Sequence, residues 1–262
     1  MGIIEVASLL LAGLVAGFAA GLFGIGGGVI LVPVFWLLFK SFGVGGELSV
    51  KLSVATSLSV IAFTTLFTSA SHLLRGALTF KETLKLFLFS APGVALGVGL
   101  AKVLPANLLK KLFGLFLVLS GLRNASGAPL KKGGFKRGEE LVLLSVFISG
   151  FFSSLFGIGG GVVVNSILFS FSSIPVERVV AVASLSSFLN ALFGTLLYML
   201  LPAQKALSYQ VGFVYLPATL LVSAGSIAGS RLGLKVLRRV SQSHLKRAFG
   251  LFMVLIGLKV LI

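Results

Sequence analysis

Long apolar stretches dominate this chain of 262 residues, and nearly every charged residue lies between apolar runs of 12–25 residues. A bilayer core requires about 20 apolar residues for each helical crossing. The sequence of a transmembrane β-barrel would instead contain strands in which polar and apolar residues alternate, and this sequence has no such pattern. Charged residues make up 11% of the chain, against about 25% in soluble domains. The sequence therefore predicts an all-α polytopic membrane protein.

The net charge of +16 does not indicate a nucleic-acid partner, since the basic residues lie in short loops between apolar segments. Lysines and arginines in such loops determine membrane topology. The chain has no cysteine, which excludes disulfides and thiol chemistry. It has no HExxH motif and no aspartate, so we predict no enzyme activity, no catalytic residue, no metal and no cofactor. The N-terminal segment carries Glu5 but no basic region, which favours a first membrane helix over a signal peptide.

The eight residues LFGIGGGV occur at 22–29 and again at 155–162, which indicates an internal repeat. Three further matches support it: VATSLS with AVASLS, LKKLFGLF with LKRAFGLF, and Pro92 with Pro217. We predict a first repeat at 1–123, a polar linker at 124–140 and a second repeat at 141–262. Five apolar segments fall in each half, at about 3–22, 28–39, 52–74, 84–103 and 108–122, and at about 141–156, 162–171, 179–201, 208–229 and 245–261. An odd number of segments predicts two repeats of inverted topology.

The distribution of basic residues orients these segments. A cytoplasmic linker places 15 basic residues inside and 7 outside, with both termini outside. If each glycine run were instead a kink within one crossing, the basic loop 231–247 would fall outside, against the positive-inside rule. We therefore interpret each glycine run as the tip of a hairpin.

Each glycine run is followed by a short apolar segment of 10–12 residues, VILVPVFWLLF and VVVNSILFSF. Helices of that length span roughly 15–18 Å, about half of a bilayer core. The tips would then lie near the membrane midplane, where irregular backbone must be buried in protein or line a cavity. Free amides and the positive end of a helix dipole attract anions. The alternative is that the glycines only allow close helix packing.

Polar side chains in the apolar segments extend this hypothesis, because hydroxyls and amides can donate hydrogen bonds to a desolvated oxyanion. The alternative for Ser and Thr is that they pack helices and bond their own carbonyls. No carboxylate lies in the middle of a segment, so a proton relay or sodium site at the midplane is not supported. The predicted substrate-binding residues are Gly26, Gly27, Gly28, Thr56, Ser57, Gly159, Gly160, Gly161, Asn165, Ser184 and Asn190.

These features resemble the TauE/SafE family of sulfite exporters (the TSUP transporters), chiefly through the duplicated GIGGG hairpin, the ATSL and VASL helix starts and LKKLFGLFLVLSGLR. By the family pattern the motif residues are Gly24, Gly26, Gly27, Gly28 and Pro33, and Gly157, Gly159, Gly160 and Gly161. The resemblance implies an inner-membrane permease that exports small sulfur-containing oxyanions, such as sulfite or organosulfonates. The second half has Asn165-Ser166 where the first has Val32-Pro33, so we expect an asymmetric site.

The leading hypothesis is a secondary anion transporter in which rocking of the inverted halves alternates access to a central site. The expected partners are a small anionic substrate and the lipid bilayer. Whether the chain forms a homo-oligomer, which anion it carries and how transport is driven stay open. The alternatives are an anion channel that uses the same tips for selectivity, and a membrane scaffold that transports nothing.

Overall fold

A computed structural model describes residues 2–23, 27–126, 138–172, 174–237 and 242–261. The predicted linker lies mostly outside these ranges. The described residues form ten helices and one two-stranded hairpin: α1 (Ile3–Phe23), α2 (Gly28–Ser41), α3 (Gly46–Leu74), α4 (Phe80–Val103), α5 (Ala106–Ala125), α6 (Gly138–Phe156), α7 (Gly161–Phe171), α8 (Val176–Leu200), β1 (Gln210–Val211), β2 (Val214–Tyr215), α9 (Leu216–Leu237) and α10 (Gln242–Leu261). The predicted all-α membrane architecture is confirmed.

Apolar surface faces outward around this bundle, as it must where lipid replaces water. Five of the described helices are long and apolar enough to cross a membrane, namely α1 over Ile3–Ala20, α3, α4, α6 and α8. Large exposed side chains on different helices include Leu11, Leu88 and Leu196. Soluble monomers rarely expose so much contiguous apolar surface. The chain is therefore a multi-pass membrane protein.

The helices pair across the middle of the sequence. Helix α1 packs on α9 and α4 packs on α6, while α3 pairs with α8 and α5 with α10. A Cβ on Gly229 of α9 would overlap the carbonyl oxygen of Leu14 on α1, and a Cβ on Gly93 of α4 would overlap that of Phe147 on α6. Leu14 and Phe147 are 133 positions apart, the same offset that separates the two glycine runs. The two contacts are thus counterparts, exchanged between the halves.

This pairing corrects one of the sequence matches. Pro92 lies in the middle of α4, whereas Pro217 is the second residue of α9, so the two prolines are not equivalent. Ser90 and Ser226 are the residues in matching positions, because their carbonyls approach Gly150 and Gly17, respectively. Proline fits the first turn of a helix and also occurs within membrane helices, so its identity alone did not fix the alignment.

The segment predicted at 208–229 is also wrong at its start, because α9 begins only at Leu216. The residues before it form the hairpin of β1 and β2, with positive φ angles at Tyr209 (63°) and Gly212 (53°). The Gln210 side chain closes this turn: its Nε2 donates to the Gly212 carbonyl at 2.8 Å, and its Oε1 accepts from the Ala206 amide at 3.1 Å. Apolar content alone could not distinguish this hairpin turn from another helical turn.

Candidate substrate site

The second glycine tip (residues 155–162) breaks the helix because its backbone enters the left-handed region. Gly157, Gly159 and Gly160 have φ angles of 72°, 78° and 83°. Glycine adopts such angles without the steric penalty that a Cβ brings. The amides of Gly157 and Ile158 both donate to the Ser153 carbonyl, at 2.8 and 3.3 Å, and this closes the end of α6.

The chain reverses direction at this tip. A Cβ on Gly160 would lie 2.5 Å from the Ser149 hydroxyl oxygen and 3.0 Å from the Ser149 carbonyl oxygen. In a continuous helix, residues eleven positions apart would be separated by about 16 Å along the axis. The hairpin that the charge distribution predicted is therefore present, and α7, with 11 residues, is its short arm.

The first glycine tip (residues 22–29) follows the same path where the structure describes it, although Gly26 lies outside the described residues. Gly27 has a φ of 74° and precedes α2, which has 14 residues. A Cβ on Gly27 would lie 3.6 Å from the carbonyl oxygen of Ala16, again eleven positions earlier, and 3.2 Å from the Cβ of Ala20. Where both runs are described, they therefore have the same geometry: a glycine of positive φ precedes a short helix and lies against the helix before the run.

The two tips meet. A Cβ on Gly28 would lie 2.6 Å from the Cα of Ile158, so only glycine permits this approach. Gly157 is held against the first half as well, because the Ser57 hydroxyl donates to its carbonyl at 2.7 Å. The second tip is thus seated on α2 and α3, as expected for tips that share one central site.

Buried polar side chains surround the second tip. The Asn190 amide nitrogen on α8 donates to the Ser149 hydroxyl on α6 at 2.8 Å, and both side chains lie beside Gly160. The Ser187 hydroxyl of α8 lies against Gly161. Ser149 and Asn190 are fully buried. Helices α6 and α8 therefore place hydroxyl and amide groups directly at the start of α7.

Several of these groups have hydrogen-bonding capacity left over. Within the described part of the chain, the buried side-chain atoms that make no hydrogen bond are Ser153 Oγ, Asn165 Oδ1, Ser186 Oγ, Asn190 Oδ1 and Ser223 Oγ. Four of the five lie on α6, α7 and α8. The amides of Gly161 and Val162 likewise donate no hydrogen bond to a described residue. A buried polar group without a partner costs about 1–3 kcal/mol, and such a cluster points to a ligand that satisfies it.

The predicted site residues divide into two groups. Gly27, Gly28, Ser57, Gly159, Gly160, Gly161 and Asn190 lie at or beside the junction of the tips, and Asn165 is four residues into α7. The hydroxyls of the other two bond elsewhere. Thr56 Oγ1 accepts from the Tyr215 amide at 3.1 Å, and Ser184 lies beside Ser69, whose hydroxyl donates to its carbonyl at 3.1 Å.

Sequence reasoning missed Ser149, Ser153, Ser186 and Ser187. A signal for the first two was present, because the repeat offset of 133 aligns them with Ala16 and Ala20. Serine in place of alanine, one and two turns before an otherwise identical glycine run, marks the half that carries the polar groups. No group of three or more metal-ligating side chains occurs among the residues that the structure describes.

Two hairpin tips that meet inside an apolar bundle, one of them surrounded by unsatisfied polar groups, define a polytopic membrane protein with a buried polar site. The family model for the sulfite exporter TauE/SafE matches residues 9–260, and the chain belongs to this family. It is a membrane transporter of the TauE/SafE type.

Curated relatives cover nearly the whole chain. A probable membrane transporter protein of Methanocaldococcus jannaschii is 30% identical over 94% of this chain and 94% of its own length. One from Bacillus subtilis is 26% identical, covering 95% and 94%, and one from Haemophilus influenzae is 28% identical, covering 95% of each. No solved structure matches the chain significantly. The names of these relatives describe transporters rather than enzymes.

Proposed function

We propose that this protein is a secondary transporter that exports small sulfur-containing oxyanions, such as sulfite or organosulfonates, and that the second glycine tip provides most of the anion-binding groups. The observation that carries the proposal is the set of unpartnered polar atoms on Ser153, Ser186 and Asn190, which are fully buried on α6 and α8, the two helices whose side chains lie against the start of α7. The family supports the substrate class, since its description names sulfite export.

The chemistry of this tip favours an anion over a cation. The free amides of Gly161 and Val162 point away from α7, and the positive end of the helix dipole lies with them. The hydroxyls of Ser153 and Ser186 can donate as well. No lysine or arginine lies at the tip, so the anion would be held by hydrogen bonds alone. Such a site can release its ligand readily, which a carrier requires.

We further propose that residues 1–123 and 141–262 are repeats of opposite orientation, joined by a cytoplasmic linker at 124–140, with both termini outside the inner membrane. The reciprocal packing of α1 on α9 and α4 on α6 supports this arrangement. Rocking of the two halves would open the contact between Gly28 and Ile158 toward one side of the membrane at a time. The bound anion would then be accessible from each side in turn.

The test is flux in liposomes reconstituted with the purified protein. We expect saturable, one-for-one exchange of sulfite or methanesulfonate, and thermal stabilisation of the detergent-solubilised protein by the same anions. Unitary currents would identify an anion channel instead. A protein that neither transports nor is stabilised by sulfite, sulfonates, sulfate or carboxylates would be a scaffold, and the proposal would fail.

A further inference from the structure

Trp36, the single tryptophan of the chain, lies on α2 with two lysines beside its ring. The Nζ atoms of Lys40 and Lys110 are each 4.5 Å from the ring centroid. Lys40 lies one turn further along α2, whereas Lys110 belongs to α5. Cations at this distance are attracted to the face of an indole ring. The ring therefore gathers two ammonium groups from two helices at one place.

This place lies at the membrane surface. Helix α2 ends at Ser41 and α3 begins at Gly46, and α4 ends at Val103 just before α5 begins at Ala106. Such short connections put these four helix ends on one side of the bundle, and there Lys51 Nζ donates to the Lys102 carbonyl at 2.9 Å. Because α3 and α4 are long enough to cross a membrane, their ends lie at its surface. Tryptophan and lysine are typical of that interface.

No residue that the structure describes neutralises the two ammonium groups. Each Nζ atom lies 4.5 Å from the same ring centroid, so the two atoms can be no further apart than twice that distance. Such a separation is comparable to the Debye length of about 8 Å at physiological ionic strength. Neither Lys40 nor Lys110 forms a salt bridge with a described residue. Their mutual repulsion would be offset by an oxyanion that contacts both of them.

The surface next to this pair is apolar. A crevice of about 20 Å³ continues from Trp36 and Lys110 along α2, and Val32, Pro33, Phe113 and Val260 line it. Leu37, beside Trp36 on α2, is 53% exposed and faces the hydrocarbon region. A free anion in water would gain nothing from this wall, whereas the acyl chains of a lipid would pack against it.

We propose that Lys40, Trp36 and Lys110 form a binding site for an anionic phospholipid. Both ammonium groups contact its phosphate, the indole ring lies at the headgroup level, and an acyl chain packs against the exposed apolar surface of α2 beside Trp36. Basic pockets between membrane helices bind anionic headgroups in this way. This site is separate from the glycine tips and does not depend on which anion the protein transports.

Because Trp36 is the only tryptophan, its fluorescence reports on this site alone. The full-length protein is reconstituted with either brominated phosphatidylglycerol or brominated phosphatidylcholine, since bromine quenches tryptophan on contact. We expect the anionic lipid to quench at least threefold more effectively, and we expect the ratio to fall to about one in the Lys40→Gln/Lys110→Gln double variant. The matched control is Lys102→Gln/Lys111→Gln, which removes the same charge at the same end of the bundle and keeps the preference.

Three results would overturn the proposal. Equal quenching by the two lipids in the unaltered protein would mean that no anionic lipid is selected. Loss of the preference in both double variants would attribute it to general surface charge. Removal of the preference by millimolar inorganic phosphate would identify a site for free anions rather than for lipid. Thermal unfolding of each variant checks that its fold is kept.

Discussion

The two glycine tips have the same eight residues and, where both are described, a similar backbone geometry, but their surroundings differ. Gly27 faces Ala16 and Ala20, and a Cβ there would meet only methyl groups and a carbonyl at 3.2 Å or more. Gly160 faces Ser149 and the Asn190 amide, which a Cβ would approach at 2.5 and 2.9 Å. Apolar side chains therefore lie next to Gly27, and polar ones lie next to Gly160.

This difference follows the repeat position by position. At five positions near the second tip a polar residue replaces an apolar one of the first half, and the pairs are Ser149 and Ala16, Ser153 and Ala20, Asn165 and Val32, Ser187 and Val60, and Asn190 and Phe63, whereas Ser186 matches a serine, Ser59. Both repeats of a duplicated chain can thus retain the same glycine hairpin while only one of the two hairpins binds the ligand. We infer that the first tip serves mainly as a wall that closes on the second.

The largest expected effect distinguishes the tips directly. Gly160→Ala would displace Ser149 and Asn190, and we expect it to reduce anion flux in liposomes at least tenfold. Gly27→Ala is the matched control, because both glycines have φ angles near 80° and the backbone strain of alanine is the same at each. We expect it to reduce flux less than threefold. Equal losses would mean that backbone geometry alone, and not the polar lining, makes the site.

A second, smaller effect tests the unpartnered hydroxyls. Ser153→Ala and Ser186→Ala remove buried groups that no described residue satisfies, so each should stabilise the anion-free protein, by about 1 kcal/mol. The same variants should weaken the thermal stabilisation that sulfite or a sulfonate provides. Melting curves with and without anion measure both effects.

The control for these serines is Ser154→Ala. The Ser154 hydroxyl donates to the Val94 carbonyl at 2.9 Å, so its loss should destabilise the protein in either condition. If Ser153→Ala and Ser186→Ala also destabilise the anion-free protein, their hydroxyls have partners in the fold and are not reserved for a ligand.

Much of the fold could be predicted from the sequence because bilayer thickness fixes the length of an apolar segment. All ten helices were predicted, and most bounds differ by four residues or fewer. Helix α3 begins six residues earlier than predicted, at Gly46, and α9 lies eight residues later at both ends, because a hairpin precedes it. The matches at Ser90 and Ser226 could not be recognised, since the register between two helices depends on which small residues touch.

The candidate site could be predicted only in part. Glycine runs that adopt positive φ angles can be recognised in the sequence, and so can the reversal of chain direction that they cause. The direction in which a serine hydroxyl points cannot be predicted from the sequence, because a serine on a helix forms a hydrogen bond with whichever carbonyl or other partner lies nearest. Thr56 and Ser184 lie in the matched segments VATSLS and AVASLS, yet their neighbours are Tyr215 and Ser69 rather than the tips.

The smallest expected effect concerns how the second tip is held against the first half. Ser57→Ala removes the hydrogen bond to the Gly157 carbonyl and leaves that buried oxygen unpaired, which should destabilise the protein by about 1 kcal/mol. Ser184→Ala, at the matched position, should be nearly neutral, because Ser69 donates to the backbone carbonyl of residue 184, which alanine keeps. Reversible unfolding in mixed micelles measures both variants. Destabilisation by both to the same extent would mean that the two serines have equal roles, and the asymmetry between the halves would then not extend to the contacts that anchor the tips.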